Sequence, residues 1–303
     1  MTKIPLFIAS GDWHLMDKTP VCRIDDSFQT TMWNKVKFIT DLSYELDIPI
    51  ILGGDVFDSW RGSLGLLHKA FSSLANIYTI AGNHDLFGEN FALIHKTLFG
   101  MMDFSDRFTI LGNQATDFHN FNVYGQHFGQ TIMKPYTTET NVAVIHEMVW
   151  NNIMPYPGLD NTTNVNSIMK KYKEFDIIVS SHNHIPFATK RGRRLLVNPG
   201  SILRLTSAAK DIKPRIYIVY SDMTVKPIFI PIVGSHVSDE HIEKKKEIIS
   251  AVDKFIQSVK IERTEEIIPF EEYIQRILDT NEINPKIRKI LIEVINISDI
   301  LKG

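Results

Sequence analysis

The chain reads as an α/β protein, and two observations predict that class. Short apolar runs at residues 4–9, 48–52 and 76–81 have the length of buried strands, and each ends at glycine or in a small polar cluster. Between them lie longer segments whose apolar residues recur at helical spacing. The order β–α–β–α–β predicts a sheet with helices on its faces. An apolar share of 44% with 22% charged residues suits a soluble globular chain, and 303 residues allow one large or two modest domains.

The run at 4–9 ends in Ser10-Gly11-Asp12-Trp13-His14. Asp12 and His14 are two apart, so an extended chain would put both on one face, and a strand-end turn could aim both at one ion. After a polar loop at 18–26, residues 27–46 carry Phe28, Met32, Val36, Ile39, Leu42 and Leu46 at helical spacing. The strand at 48–52 opens into Gly53-Gly54-Asp55-Val56-Phe57-Asp58, where glycines allow a sharp turn and leave Asp55 at the strand's carboxyl end. A helix at about 65–76 returns the chain to the strand before Gly82-Asn83-His84-Asp85.

Residues 91–99 read as helical, and 109–111 and 121–124 as short strands. A strand at 141–145 ends at His146. A helix at 168–172 precedes a strand at 176–179, which ends in Ser180-Ser181-His182-Asn183-His184. Arg191-Gly192-Arg193-Arg194 reads as a hairpin tip, Asn198-Pro199-Gly200-Ser201 as a turn, and 215–220 with 224–232 as a second hairpin. From Ser238 the pattern turns helical. Residues 270–278 and 285–301 read as two helices with a short loop, a helical hairpin whose second member opens on Asn284-Pro285.

A net charge of −2 gives no global field for nucleic acid or an anionic membrane, though it leaves room for a local basic groove. The lone Cys22 permits no intramolecular disulfide and fits a reducing compartment. No run approaches the ~18 apolar residues of a membrane helix, and residues 1–10 lack the apolar core of a signal peptide. The expected location is the cytosol, with no membrane partner.

Asp12, His14, Asp55, Asn83, His146, His182 and His184 all stand at or just beyond the ends of expected strands. Carboxylate and carbonyl oxygens mixed with imidazoles suit manganese, iron or zinc better than calcium. Asp55 can bridge two ions. Two ions about 3.5–4 Å apart clamp the attacking and leaving oxygens of a phosphoryl transfer, and a water between them becomes a hydroxide nucleophile near neutral pH. His84 can donate a proton, and Asp85 can hold its ring in one tautomer.

The ordered set Asp-x-His, Gly-Asp-x-x-Asp, Gly-Asn-His-Asp, strand-end His and His-x-His resembles the calcineurin-like metallophosphoesterases over roughly residues 4–232. The resemblance implies a two-sheet β-sandwich flanked by helices, four layers in all, with the site at its edge. It implies one ion on Asp12, His14, Asp55 and His184, and a second on Asp55, Asn83, His146 and His182. His84 would contact phosphate and protonate the leaving alkoxide, Asp85 would partner it, and Asp58 would steady a ligand from behind. Ser181 departs from the glycine usual before His-x-His.

Gly11-Asp12-Trp13-His14-Leu15 and Gly54-Asp55-Val56-Phe57-Asp58 further resemble SbcD-type nucleases, with Met16 in place of a usual glycine. The opening is also similar to nuclease subunits of T-even-type phages, which would place the chain in a bacterial host's cytosol. That resemblance implies a nuclease domain at 1–232, a reduced capping segment at 233–266 and a helical hairpin at 267–303. The hairpin would grip an SbcC-type coiled-coil ATPase through Phe270, Tyr273, Ile274, Ile277, Ile287 and Leu291. It further implies manganese as the ion (with iron, zinc and magnesium as alternatives), DNA as substrate and a homodimer through N-terminal helices. Arg61, Arg191, Arg193 and Arg204 are the candidate phosphate contacts, with Lys190 and Arg194 beside them. A small-molecule phosphodiesterase or protein phosphatase on the same fold is the competing enzyme reading. A non-catalytic scaffold ranks last because every ligand position is filled.

Overall fold

The structure, a computed structural model, describes residues 3–152, 154 and 163–243, with residues 246, 250, 275, 278, 279, 288, 289 and 292 beyond them. Contacts divide the chain into two units, Met1–Ser238 and Asp239–Gly303. Phe270, Tyr273, Ile274, Ile277, Ile287 and Leu291 lie outside the described residues, as does most of the expected helical hairpin.

The first unit holds two six-stranded sheets among the described residues. The first is built from β1 (Pro5–Ser10), β2 (Ile50–Leu52), β3 (Ile77–Thr79), β4 (Phe108–Ile110), β11 (Arg215–Tyr220) and β12 (Val225–Phe229) in the order β12-β11-β1-β2-β3-β4. The second comprises β5 (Thr116–Asp117), β6 (Phe121–Gln126), β7 (Thr140–His146), β8 (Ile177–Ser181), β9 (Phe187–Arg191) and β10 (Arg194–Asn198) in the order β5-β6-β7-β8-β10-β9. β1 to β4 run parallel, as do β6, β7, β8 and β10, and antiparallel strands close the sheets.

Alternation along the strands makes the layers. Phe7 and Ala9 of β1 meet Val142, Val144, Ile177 and Val179 in a core between the sheets. Ile8, on the opposite face, packs with residues of α1 (Phe28–Leu46) and α2 (Leu64–Ser73). Ala143, Ile145 and Ile178 face outward from the second sheet onto α4 (Val165–Lys171). The stack is therefore helix, sheet, sheet, helix, and each large side chain buried in it contributes about 1.5–3 kcal/mol.

Caps fix the helix ends. Ser27 accepts the Thr30 N–H at the start of α1, and Asp47 ends it in the left-handed region at φ 51°. The expected helix at 91–99 instead forms a 3-10 turn, Phe91–Lys96, and a single α-turn, α3 (Leu98–Met101). Thr97 divides them, because its side chain accepts the Gly100 N–H and opens a new turn. The hairpin tip is as expected: Arg191 pairs with Arg194 across a two-residue turn with Gly192 at φ 59°. Residues 233–238 pack with the first unit, where Val237 bridges Arg23 and Ser235 Oγ accepts from Arg23.

Lys35 is an unusual core residue of α1. It is 2% exposed, its Nζ donates to the Ile202 carbonyl at 3.0 Å, and burial together with the Arg23 and Arg204 cations pushes its pKa from about 10.5 down to about 7. A depressed lysine disfavours folding while the unfolded chain binds the extra proton, so its contribution improves as pH rises from 7 toward 10.5. Lys35→Met should remove that slope and raise stability at pH 7 by about 1–3 kcal/mol. Urea unfolding of both proteins at pH 7 and 9 checks this: the gap between them should narrow at pH 9.

Candidate metal centre

Every candidate ligand lies at the carboxyl end of a parallel strand, the edge at which sites form in such sheets. Asp12 and His14 follow β1, Asp55 follows β2, Asn83 follows β3, His146 ends β7, and His182 and His184 follow β8. Asp12 and His14 do not reach the centre by simple alternation. Both stand in the left-handed region at φ 45°, as do Asp55 at 50° and His182 at 84°. Each such residue costs about 1–3 kcal/mol, and such strain gathers at functional sites.

The surroundings leave room for little else. A Cβ on Gly54, itself at φ 100°, would stand 2.8 Å from His146 Nδ1, and one on Gly82 would stand 2.1 Å from Asp55 Oδ1. Glycine is thus required where the two loops meet. Ser181, in place of the resembled family's glycine, is wedged between Gly11 and Gly53, and its buried Oγ has no hydrogen-bond partner.

Donor atoms converge in three overlapping groups, each within 4.8 Å: Asp12, His14 and His184; Asp55, His146 and His182; and, joining these two, His14, Asp55 and His84. His14 Nε2 lies 3.1 Å from His184 Nε2, His146 Nε2 lies 3.1 Å from Asn83 Oδ1, and Asp55 Oδ2 lies 3.3 Å from His146 Nε2 and 3.8 Å from His14 Nε2. Ligands about 2.0–2.2 Å from one ion sit roughly 3 Å apart, so these spacings fit divalent ions. Main-chain donors orient the carboxylates: Asp12 accepts the His182 N–H and Asp55 Oδ1 accepts the His84 N–H.

The charges are interlocked. Burial alone would lower His146 and raise Asp55, yet their mutual attraction pushes His146 up to about 9 and holds Asp55 well below the ordinary carboxylate range. His182 is driven down to about 4 by burial and then by the His146 charge, and burial lowers His184 as well. An imidazole kept neutral is ready to ligate.

His84 is exposed beside this cluster, its ring 4.8 Å from that of His14. Its Nδ1 donates to the Asp58 carbonyl at 2.7 Å, which directs Nε2 elsewhere. That carbonyl, and not Asp85, fixes the tautomer. Asp85 is fully buried and accepts the N–H groups of Val56, Phe57 and Gly82, because the tight turn after His84 points its side chain back beneath the loops. Burial and the Asp55 charge push it up to about 7. Asp85→Ala would strand three buried donors and should cost about 3 kcal/mol or more, read as a fall in thermal midpoint that His84→Ala does not share.

Asp58 also touches a ligand from behind, its Oδ1 3.4 Å from His14 Nδ1. Arg204 is not available to DNA. It is 7% exposed, and its guanidinium donates to the Lys210 and Ser235 carbonyls. A long side chain after a turn can fold inward as readily as outward, and here the loop carbonyls captured it. Arg194 is likewise spent on the carbonyls of Met169, Tyr172 and Phe175 around the end of α4. Arg61, Arg191 and Arg193 are exposed.

Several supporting residues gave no functional signal in the sequence. Asn198 donates to the Asn183 and Ile185 carbonyls, and Ser201 Oγ donates to the Asp12 carbonyl, so the Asn-Pro-Gly-Ser turn steadies both ligand loops. Gly200, at φ 72°, passes the His184 carbonyl at a distance that excludes a side chain. His127 accepts the Ala81 N–H through Nδ1 and stacks on Phe91, which anchors the approach to Asn83. Only the turn itself was readable, and not what it holds.

Residues 32–219 match the family profile of the calcineurin-like phosphoesterase superfamily domain. Among curated proteins none matches. An archaeal phosphodiesterase is similar over 75% of this chain and 99% of its own, at 13% identity and a TM-score of 0.40. A metallophosphoesterase from Sphaerobacter thermophilus is similar over 77% of this chain and 90% of its own, at 12% identity and 0.37. Vps29 from Entamoeba histolytica, complexed with zinc, is similar over 74% and 99%, at 12% identity and 0.34. The assignment rests on the profile match, which spans more than half of the chain: the protein belongs to the calcineurin-like phosphoesterase superfamily, the hydrolases of phosphoesters.

Proposed function

We propose that this chain is a metal-dependent DNA exo/endonuclease subunit that hydrolyses phosphodiesters and works with an SbcC-type ATPase at DNA ends, in repair or recombination. The observation that carries the hydrolytic part is the convergence of seven donors with an exposed, tautomer-fixed His84 at one sheet edge. The nuclease part is supported by the Gly-Asp-Trp-His-Leu and Gly-Asp-Val-Phe-Asp stretches, which supply three of those donors.

Asp12, His14, Asp55 and His184 would hold one divalent ion, and Asp55, Asn83, His146 and His182 the other. Manganese is the first choice, ahead of iron, zinc and magnesium. When bound, such ions polarise the phosphoryl group and acidify water. The chain's own residues do the rest. Main-chain N–H groups keep both aspartates aimed at the centre. As a water oxygen adds to phosphorus and gives up one proton to solvent, protonated His84, held at Nδ1 by the Asp58 carbonyl, gives its Nε2 proton to the departing alkoxide and the P–O bond breaks. Arg61, Arg191 and Arg193 are the remaining phosphate contacts, and residues 267–303 the ATPase grip. A homodimer and a cytosolic location belong to the same reading; no helix among the described residues is long and apolar enough to cross a membrane.

The net charge of −2 and the inward Arg204 favour a second reading, a small-molecule phosphodiesterase. Manganese-dependent cleavage of end-labelled single- and double-stranded DNA separates the two. Cutting by the wild type and not by His84→Ala supports the nuclease. Hydrolysis of bis-(p-nitrophenyl) phosphate with DNA left intact, even with a candidate ATPase added, overturns it.

A further inference from the structure

A cleft of about 500 Å³ lies between residues 15–18 and 58–63, on the loops that follow His14 and Asp55 in the chain. Asp58, one of its lining residues, links it to the candidate metal centre: its Oδ1 is 3.4 Å from His14 Nδ1 and its carbonyl holds His84. The walls are fixed. Leu15 N–H donates to the Val56 carbonyl and Asp58 N–H to the Leu15 carbonyl, so the two loops run on from His14 and Asp55 as a paired unit. Gln29 of α1 donates to the carbonyls of Met16 and Asp17. A Cβ on Gly62 would stand 2.8 Å from Leu98 and 3.0 Å from Leu66, so the outer loop is packed down as well.

The lining carries two carboxylates and two cations, and they are engaged differently. Both Asp17 oxygens are engaged by Ser63, one by its N–H and one by its hydroxyl, and Asp58 faces His14. Lys18 and Arg61 also line it, and neither has a carboxylate partner among the described residues. Arg61 lies over the Trp60 ring, 5.4 Å from its centroid, which limits its freedom at little cost to its donors. Two cations without ion-pair partners, in a preformed cleft whose Asp58 touches both His14 and His84, fit a second anion held in series with the one being cleaved.

We propose that this cleft is the subsite for the phosphate next to the scissile one, with Lys18 and Arg61 as its ligands. The site then selects a strand with at least two successive phosphodiesters over an isolated ester. The inference deepens the nuclease reading and rests on it for the identity of the substrate.

The test is calorimetric titration of manganese-loaded His84→Ala protein with the thymidine dinucleotide dTpdT, which has one phosphodiester, and the trinucleotide dTpdTpdT, which has two. The trinucleotide should bind about tenfold tighter, a ratio typical of one added charge-assisted contact. Adding Lys18→Ala and Arg61→Ala should bring the ratio to within about twofold and flatten the salt dependence of trinucleotide binding by about one to two charges. Both positions are on surface loops, and circular dichroism checks that the fold persists. An equal ratio in both proteins, or a ratio near one before the cations are removed, overturns the subsite. Incubating wild-type protein with the trinucleotide tests the nuclease reading separately. A trinucleotide bound through Lys18 and Arg61 but left uncut overturns that reading and keeps the subsite. One that is cut with no dependence on the two cations does the reverse.

Discussion

Replacing Asp55 with asparagine should lower phosphodiester hydrolysis by about a thousandfold or more. Asp55 Oδ2 approaches both donor groups, at 3.3 Å from His146 Nε2 and 3.8 Å from His14 Nε2. An amide removes the charge that makes such a site attractive to cations and offers a single weaker oxygen. Loss of Lewis-acid stabilisation worth several kcal/mol translates to at least three orders of magnitude in rate. The same change removes the charge that holds His146 at about 9, so that imidazole should become an ordinary or low-pKa buried histidine. Steady-state kinetics on bis-(p-nitrophenyl) phosphate, with NMR titration of the histidine rings, reads both effects. A variant within tenfold of wild type would remove Asp55 from the centre of the account.

His84→Ala should behave differently, and the difference lies in the leaving group. A positioned general acid is worth about 10²–10⁴ in rate when the departing group is an alkoxide, as it is in DNA. A p-nitrophenolate leaves without a proton, so the variant should lose less than about tenfold on bis-(p-nitrophenyl) phosphate. Metal content should not change, because the His84 ring is exposed and anchored at Nδ1 to a carbonyl. Equal losses on both esters would mean that His84 binds phosphate or metal and does not deliver the proton. Asp85→Ala provides the contrast, since its carboxylate is tied to three main-chain donors and its loss should appear in stability.

How much of this was readable depends on what each residue's position required. Strand-end placement of the seven donors was legible because apolar runs, glycines and polar clusters alternate in the chain. The continuous apolar runs of β1 and β7 read as strands, and which side chain faces which layer came only from the structure, with Phe7 and Val144 between the sheets and Ile8 and Ile145 on the outer faces. Backbone sign was not legible. A strand-end turn at Asp12 and His14 was foreseeable, but nothing in their residue types announced that both would stand in the left-handed region. Arg204 failed for a related reason: sequence gives its distance from a turn, not whether nearby carbonyls will capture it. Asp85 failed because adjacency to His84 says nothing about direction, and the N–H groups of Val56, Phe57 and Gly82 outweighed one imidazole. Ser181 was visible as a departure from the resembled family, and its packing between Gly11 and Gly53 explains why the neighbours must be glycines.

The central claim is that the strand-end donors form one two-ion centre bridged by Asp55. Its most direct test is the metal-to-chain ratio, by plasma mass spectrometry, of protein reconstituted with manganese and freed of excess ion. Wild type should hold about two ions per chain, and Asp55→Asn one or fewer. A wild-type ratio below one, or equal ratios in the two proteins, would contradict a two-ion centre bridged by Asp55.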